Sequence, residues 1–206
     1  MRDAGRFRAL VLGPGLGTDA AARAEATLLA AQAPVPLVLD ADGLNALEGD
    51  LAPLRVRRAG LSEATVLTPH GGEYARLTGR PVGDDRLAAT RRLADDSESV
   101  VLLKGPGTVV AEPGGRAVVN PTGGPWLATA GTGDVLAGIL GAFLARGLPA
   151  FEAAAAAAWV HGRSADVAAD ALDAGPEPEG ILAGDLVGAI PRTLAALRRA
   201  TTTEEA

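Results

Sequence analysis

The chain of 206 residues contains no cysteine, which excludes disulfides, zinc–thiolate sites and thiol nucleophiles together. Its two histidines, His70 and His161, leave little for a histidine-built metal centre, and no protein metal ligand is expected. Aromatic residues make up 3%, so the helices must pack through alanine and other small side chains, without platforms for stacking bases. A formal charge of −6 argues against nucleic acid or an anionic membrane as partner, since both attract basic faces. The longest apolar run, Ala153 to Val160, falls well short of the roughly 18 residues a membrane span needs. Met1-Arg2-Asp3 does not lead into a signal-peptide core, and a cytoplasmic location is expected.

What is present is an ordinary balance of 48% hydrophobic and 21% charged residues, enough for one sizeable core. A single domain over residues 1–200 is expected, with 201–206 as a disordered tail. Short buried strands are predicted at Arg8 to Gly13, Pro36 to Asp40, Thr65 to Thr68 and Ser99 to Leu103. Helices intervene, the first capped by Thr18, another over Asp84 to Asp96 with Arg86, Arg91, Arg92, Asp95 and Asp96 facing solvent. This alternation implies an α/β fold with a mostly parallel sheet covered on both faces. Leu51 to Ser62 reads as a polar, basic turn. Hairpin strands follow at Thr108 to Glu112 and Ala117 to Asn120, then helices over Gly133 to Ala145 and Phe151 to Leu172. The second of these is interrupted at His161-Gly162, with His161 read as a core residue. Ala174 to Gly180 reads as a loop, and Asp185 caps a last helix that Pro191 bends or interrupts.

The chemistry concentrates in Asn120 to Gly138, NPTGGPWLATAGTGDVLAG. Glycines that turn a chain into a helix let backbone amides approach an anion, and the helix dipole strengthens that field. The amides of Gly131, Thr132 and Gly133 therefore form a candidate anion hole, with Asp134 beside it as candidate base. The plainer reading makes Thr132 a helix cap and Asp134 a favourable charge in the first turn. At the other strand ends lie Gly13-Pro14-Gly15-Leu16-Gly17, Asp40-Ala41-Asp42-Gly43-Leu44-Asn45, Pro69-His70-Gly71-Gly72-Glu73 and Lys104-Gly105-Pro106-Gly107-Thr108. The first two outline a Rossmann site, but Thr18 stands where its third glycine belongs. The last is no Walker loop, because no Lys-Ser/Thr follows its glycines.

Taken together, these five motifs resemble the ADP- or ATP-dependent (S)-NAD(P)H-hydrate dehydratases of the ribokinase-like superfamily. That family shows N-x-T-G-N-P-x-M-A-T-G-G-x-G-D-V-L-x-G at the central corner. This chain departs from it at Gly124, Leu127 and Ala130 and keeps the final G-x-G-D. The resemblance implies a three-layer α/β/α fold, N-terminally shortened relative to the family. It implies Asp134 as catalytic base and substrate contact, with Gly15, Gly17 and His70 also contacting substrate. It places Lys104, Gly105, Pro106, Gly107, Thr108 and Gly133 on an adenine nucleotide, and Asp40, Asn45, Glu73 and Asn120 around the pocket. ADP or ATP would be the phosphoryl donor, with Mg2+, and hydrated NADH or NADPH the substrate. The shortened sheet would expose an edge, so a homo-oligomer is expected. A non-catalytic nucleotide-binding module and a ribokinase-like small-molecule kinase are the alternatives.

Overall fold

The computed structural model describes residues 6–61, 63–172 and 181–204. Strands β1 (Leu10–Leu12), β2 (Leu37–Leu39), β3 (Thr65–Leu67) and β4 (Val100–Leu103) run parallel. β5 (Val109–Ala111) and β6 (Ala117–Val119) continue the sheet as antiparallel hairpins, so spatial order follows chain order. Period-two alternation sends the residues of each strand to two separate cores. Leu37, Leu39, Leu67, Val101 and Leu103 face one, while Val38, Val66, Val100 and Leu102 face the other.

The first core is covered by α1 (Ala20–Gln32), α2 (Ala41–Asn45), α3 (Ala52–Gly60), α4 (Gly71–Thr78) and α5 (Arg86–Ser97). The second is covered by α6 (Thr132–Ala145), α7 (Ala150–Ala171) and α8 (Ala183–Glu204). The result is the expected three-layer α/β/α arrangement. Apolar side chains line both faces of β2 to β5 because both faces are covered, whereas Val118 and Val119 of β6 are exposed. Each fully buried aliphatic group contributes about 1.5–3 kcal/mol.

Several local expectations are corrected. Asp19, not Thr18, caps α1, its Oδ1 accepting from the Ala21 and Ala22 amides at 2.9 Å. The stretch read as a turn is α3: arginine is a good helix former, and here the polar residue turns inward. Arg57 is 1% exposed, and its guanidinium donates to the Ala33 and Val35 carbonyls and to Thr65 Oγ1. Arg86 does not face solvent; it is half-buried beneath the loop after β4.

α7 runs unbroken through His161 and Gly162. A Cβ on Gly162 would stand 2.4 Å from Thr122 Oγ1, so glycine is present there for a close approach, not as a breaker. α8 likewise continues through Pro191, because packing of Leu186, Ala189 and Ile190 outweighs one missing backbone hydrogen bond. It reaches Glu204, four residues into the stretch read as a tail. The loop Ala174 to Gly180 and residues 205–206 lie outside the described residues.

Candidate active site at the carboxyl ends of the parallel strands

Open α/β sheets bind ligands beyond the carboxyl ends of their strands, where loops and helix N-termini converge. β1 ends here in the Gly13 to Gly17 loop, which crosses the turn after β2 at backbone distance. A Cβ on Gly13 would fall 1.7 Å from the Asp40 carbonyl oxygen, and Gly13 adopts φ +133°, so only glycine fits. The loop is tied down by Asp42, whose Oδ2 accepts from the Gly17 amide at 3.0 Å. Space around the Cα atoms of Gly15 and Gly17 is open.

β3 delivers His70 to the N-terminus of α4. Its Nδ1 accepts from the Gly72 and Glu73 amides at 2.9 and 3.3 Å, while Glu73 Oε2 accepts from the His70 amide at 2.7 Å. This is a capping box with histidine in the serine position. Because Nδ1 accepts, the neutral ring carries its proton on Nε2, and the side chain is half exposed. Sequence reading missed the cap, although the His-x-x-Glu spacing carries its signal.

β4 delivers Lys104. Its Nζ donates to Asp40 Oδ1 at 2.7 Å and stands 3.6 Å from Glu73 Oε2. Those carboxylates are 2% and 6% exposed, the lysine side chain 19%. A Cβ on Gly133 would be 3.7 Å from the same Nζ. One ammonium therefore joins the ends of β2 and β4, the start of α4 and the start of α6. Lys104 is also the only lysine among the 19 Lys and Arg residues, a signal in the sequence that went unread.

The loop behind it is shaped by Gly105 at φ +141° and Gly107 at φ +62°. Arg86 braces it from below, donating through Nη2 to the Leu103 and Lys104 carbonyls at 3.3 and 3.1 Å. Thr108 Oγ1 donates to the Gly105 carbonyl at 3.4 Å, closing the loop across Pro106.

The GTGD corner is built from both sides of its turn. Gly131, left-handed at φ +86°, occupies the N-cap position, so Thr132 is not the cap. The Thr132 hydroxyl instead turns inward to the Leu127 and Thr129 carbonyls at 2.7 and 2.8 Å. Its amide lies 3.4 Å from the Thr129 carbonyl, so this expected anion-hole amide is engaged within the corner itself. His161 is buried, as expected, and donates through Nε2 to the Thr132 carbonyl at 2.8 Å. Burial pushes its imidazole down to about 4, outweighing the opposing hydrogen bond, and the Lys104 charge adds to the decrease. Asp134 is exposed in the first turn of α6, one residue beyond Gly133.

Two residues expected around the pocket are braces. Asn45 Oδ1 accepts from Arg76 at 2.8 Å. Asn120 donates to the Thr122 and Ala158 carbonyls at 3.0 and 3.2 Å, and its Oδ1 accepts from the Thr122 hydroxyl at 3.0 Å. Asn45 thereby links α2 to α4 and Asn120 ties the loop after β6 to α7, whereas Asp40 and Glu73 converge on Lys104. Among the described residues, no group of three or more His, Asp or Glu side chains could hold a metal ion by itself. No described helix is long and apolar enough to cross a membrane. A hollow of about 370 Å3 lies between α6, α7 and α8, lined by residues such as Val135, Ile139, Phe143 and Leu194, and no strand-end residue borders it.

This layered fold, with a glycine corner opening a helix beside strand-end acids, is that of the ribokinase-like α/β proteins. A ribokinase-like superfamily protein from Enterococcus faecalis V583 superposes with a TM-score of 0.76 at 28% identity, covering 95% of this chain and 65% of that one. Within this class the chain belongs to the NAD(P)H-hydrate dehydratase family, whose profile matches residues 1–190. It is 52% identical over 194 residues to the bifunctional NAD(P)H-hydrate repair enzyme Nnr of Mycobacterium leprae, covering 94% of this chain and 40% of that protein. It is also similar to the ADP/ATP-dependent NAD(P)H-hydrate dehydratase from Bacillus subtilis, co-crystallised with ATP and Mg2+. There the TM-score is 0.78 and the identity 32%, over 92% of this chain and 64% of that one. The chain thus spans less than two thirds of each of these relatives.

Proposed function

We propose that this chain carries out nucleotide-dependent dehydration of (S)-NAD(P)H hydrate, returning it to NADH or NADPH. ADP or ATP phosphorylates the ring hydroxyl, and the new C–O–P linkage then breaks at carbon. Phosphate departs with the C–O electrons while the ring nitrogen supplies the electron pair that drives it out. Loss of a neighbouring ring proton restores the dihydropyridine. Mg2+ accompanies the nucleotide and supplies charge neutralisation on its phosphates.

One observation carries the reading: the Lys104 ammonium stands against Gly133, next to Asp134, at the carboxyl ends of the strands. A transferred phosphoryl group at that corner meets fixed amide dipoles and a cation instead of mobile water. Asp134, exposed in the first turn of α6, takes the proton of the attacking hydroxyl. Gly15, Gly17 and His70 form the substrate side, and Lys104 to Thr108 the nucleotide side.

The decisive assay supplies hydrated NADH with ADP or with ATP and follows recovery of the dihydropyridine absorbance. Recovery that is lost in Asp134→Asn while nucleotide still binds supports the reading. Nucleotide binding without recovery leaves a binding module, and a stable phosphorylated product on another alcohol indicates a kinase. The activity belongs in the cytoplasm, with the cofactor pool it repairs. Homo-oligomerisation is part of the same reading, since the hollow beside α6 is lined by apolar side chains. Solution scattering at monomer mass would count against that part.

A further inference from the structure

Asp40 occupies the N-cap position of α2, where an aspartate ordinarily accepts from the helix amides, yet its side chain makes no capping bond. The carboxylate is turned instead to Lys104 Nζ, 64 positions away in sequence and 2.7 Å away in space. At 2% exposed it has left water for this one cation. Glu73, the other carboxylate nearby, is already committed through Oε2 to the His70 amide and stands farther from the ammonium. A chain that otherwise uses arginine for every basic residue keeps lysine here. The slot between two carboxylates and the Gly133 backbone suits a compact ammonium with three donors, not a planar guanidinium.

We propose that Asp40 is a positioning residue that holds the Lys104 ammonium against the GTGD corner, so that the cation stands in place when a phosphoryl group arrives there. Asp40 does not touch the phosphate, which its own charge would repel. It acts through Lys104, by removing the rotamer freedom a four-carbon side chain would otherwise have and by fixing which way the charge points. The inference rests on the nucleotide reading of this site and deepens it.

Because the chain has one lysine, amine labelling read by mass spectrometry reports Lys104 directly, apart from the N-terminal amine. In Asp40→Asn, an acylating reagent should modify Lys104 about fivefold faster than in the parent, because Nζ, no longer held by a carboxylate, gives up its proton and reaches the reagent as the free amine more readily. In the parent, Mg-ATP should slow labelling by a similar factor. Nucleotide-dependent turnover in Asp40→Asn should fall about tenfold in kcat with the nucleotide KM changed by less than about threefold, a split that general loosening of the fold would not give.

Equal labelling rates in parent and Asp40→Asn, with equal melting temperatures, overturn the proposal. Absence of ATP protection in the parent overturns the nucleotide reading itself, so the two failures are distinguishable. Should Asp40→Asn lose its fold by circular dichroism, Lys104→Arg decides the question. A well-folded Lys104→Arg with parental nucleotide affinity and kcat overturns the proposal, and a tenfold lower kcat sustains it.

Discussion

His161 Nε2 donates to the Thr132 carbonyl at 2.8 Å, joining the middle of α7 to the first turn of α6. The bond holds α7 to the corner that faces the strand ends. Through it a buried histidine helps fix the geometry of GTGD.

A pH dependence follows from that burial. Folding lowers the His161 imidazole from 6.5 to about 4, so the folded state holds it neutral. As pH falls below 6.5 the unfolded chain takes up a proton that the folded chain refuses, and stability declines until about pH 4. The full contribution, present above 6.5, is about 3 kcal/mol. Urea denaturation from pH 7 to 4 should show this loss in the parent protein. His161→Gln keeps a donor but does not titrate, and it should lack that part of the slope.

Asp134 is exposed, so Asp134→Asn should leave the melting temperature unchanged. If it serves as base, kcat for hydrated NADH should fall by about two to four orders of magnitude with nucleotide KM nearly unaltered. Steady-state kinetics with both nucleotides checks this.

Two glycine-to-alanine changes should have opposite signs. At Gly162 the new methyl would meet Thr122 Oγ1 at 2.4 Å and the Thr122 carbonyl carbon at 2.6 Å, so backbone must move. A loss of about 1–3 kcal/mol is expected. Gly188, exposed within α8, has nothing within 4 Å of its Cβ position, and Gly188→Ala should add about 0.5–1 kcal/mol. Urea midpoints of the two variants separate the outcomes.

Arg86→Met removes both guanidinium bonds to the Leu103 and Lys104 carbonyls and leaves the Lys104 to Thr108 loop unbraced. Nucleotide affinity should weaken by about tenfold, equivalent to the loss of about 1.4 kcal/mol. Calorimetric titration with ATP measures it, and a parental affinity would show that the brace is dispensable.

How much could be read beforehand depended on the distance over which each residue acts. β1 to β4 were visible because parallel strands buried on both faces must be continuously apolar over a few residues. The GTGD corner and the core placement of His161 were visible because glycine conformation and helical spacing are local. α3 was misread because Arg57 looks like a solvated residue until the carbonyls of Ala33 and Val35, more than 20 positions earlier, reach it. Arg86 was misplaced for the same reason, its acceptors lying on β4 and the loop beyond. Asn120 carries no local mark that its amide would be spent on α7.

Amino-acid order alone therefore determined the periodicities, the glycine turns and the family-like motifs, since steric limits and solvent exclusion act between near neighbours. Only the tertiary structure decided which charges meet. The pairing of Lys104 with Asp40 and Glu73 arises when parallel strands bring their carboxyl ends side by side, and electrostatic partners chosen through space leave no trace in chain spacing.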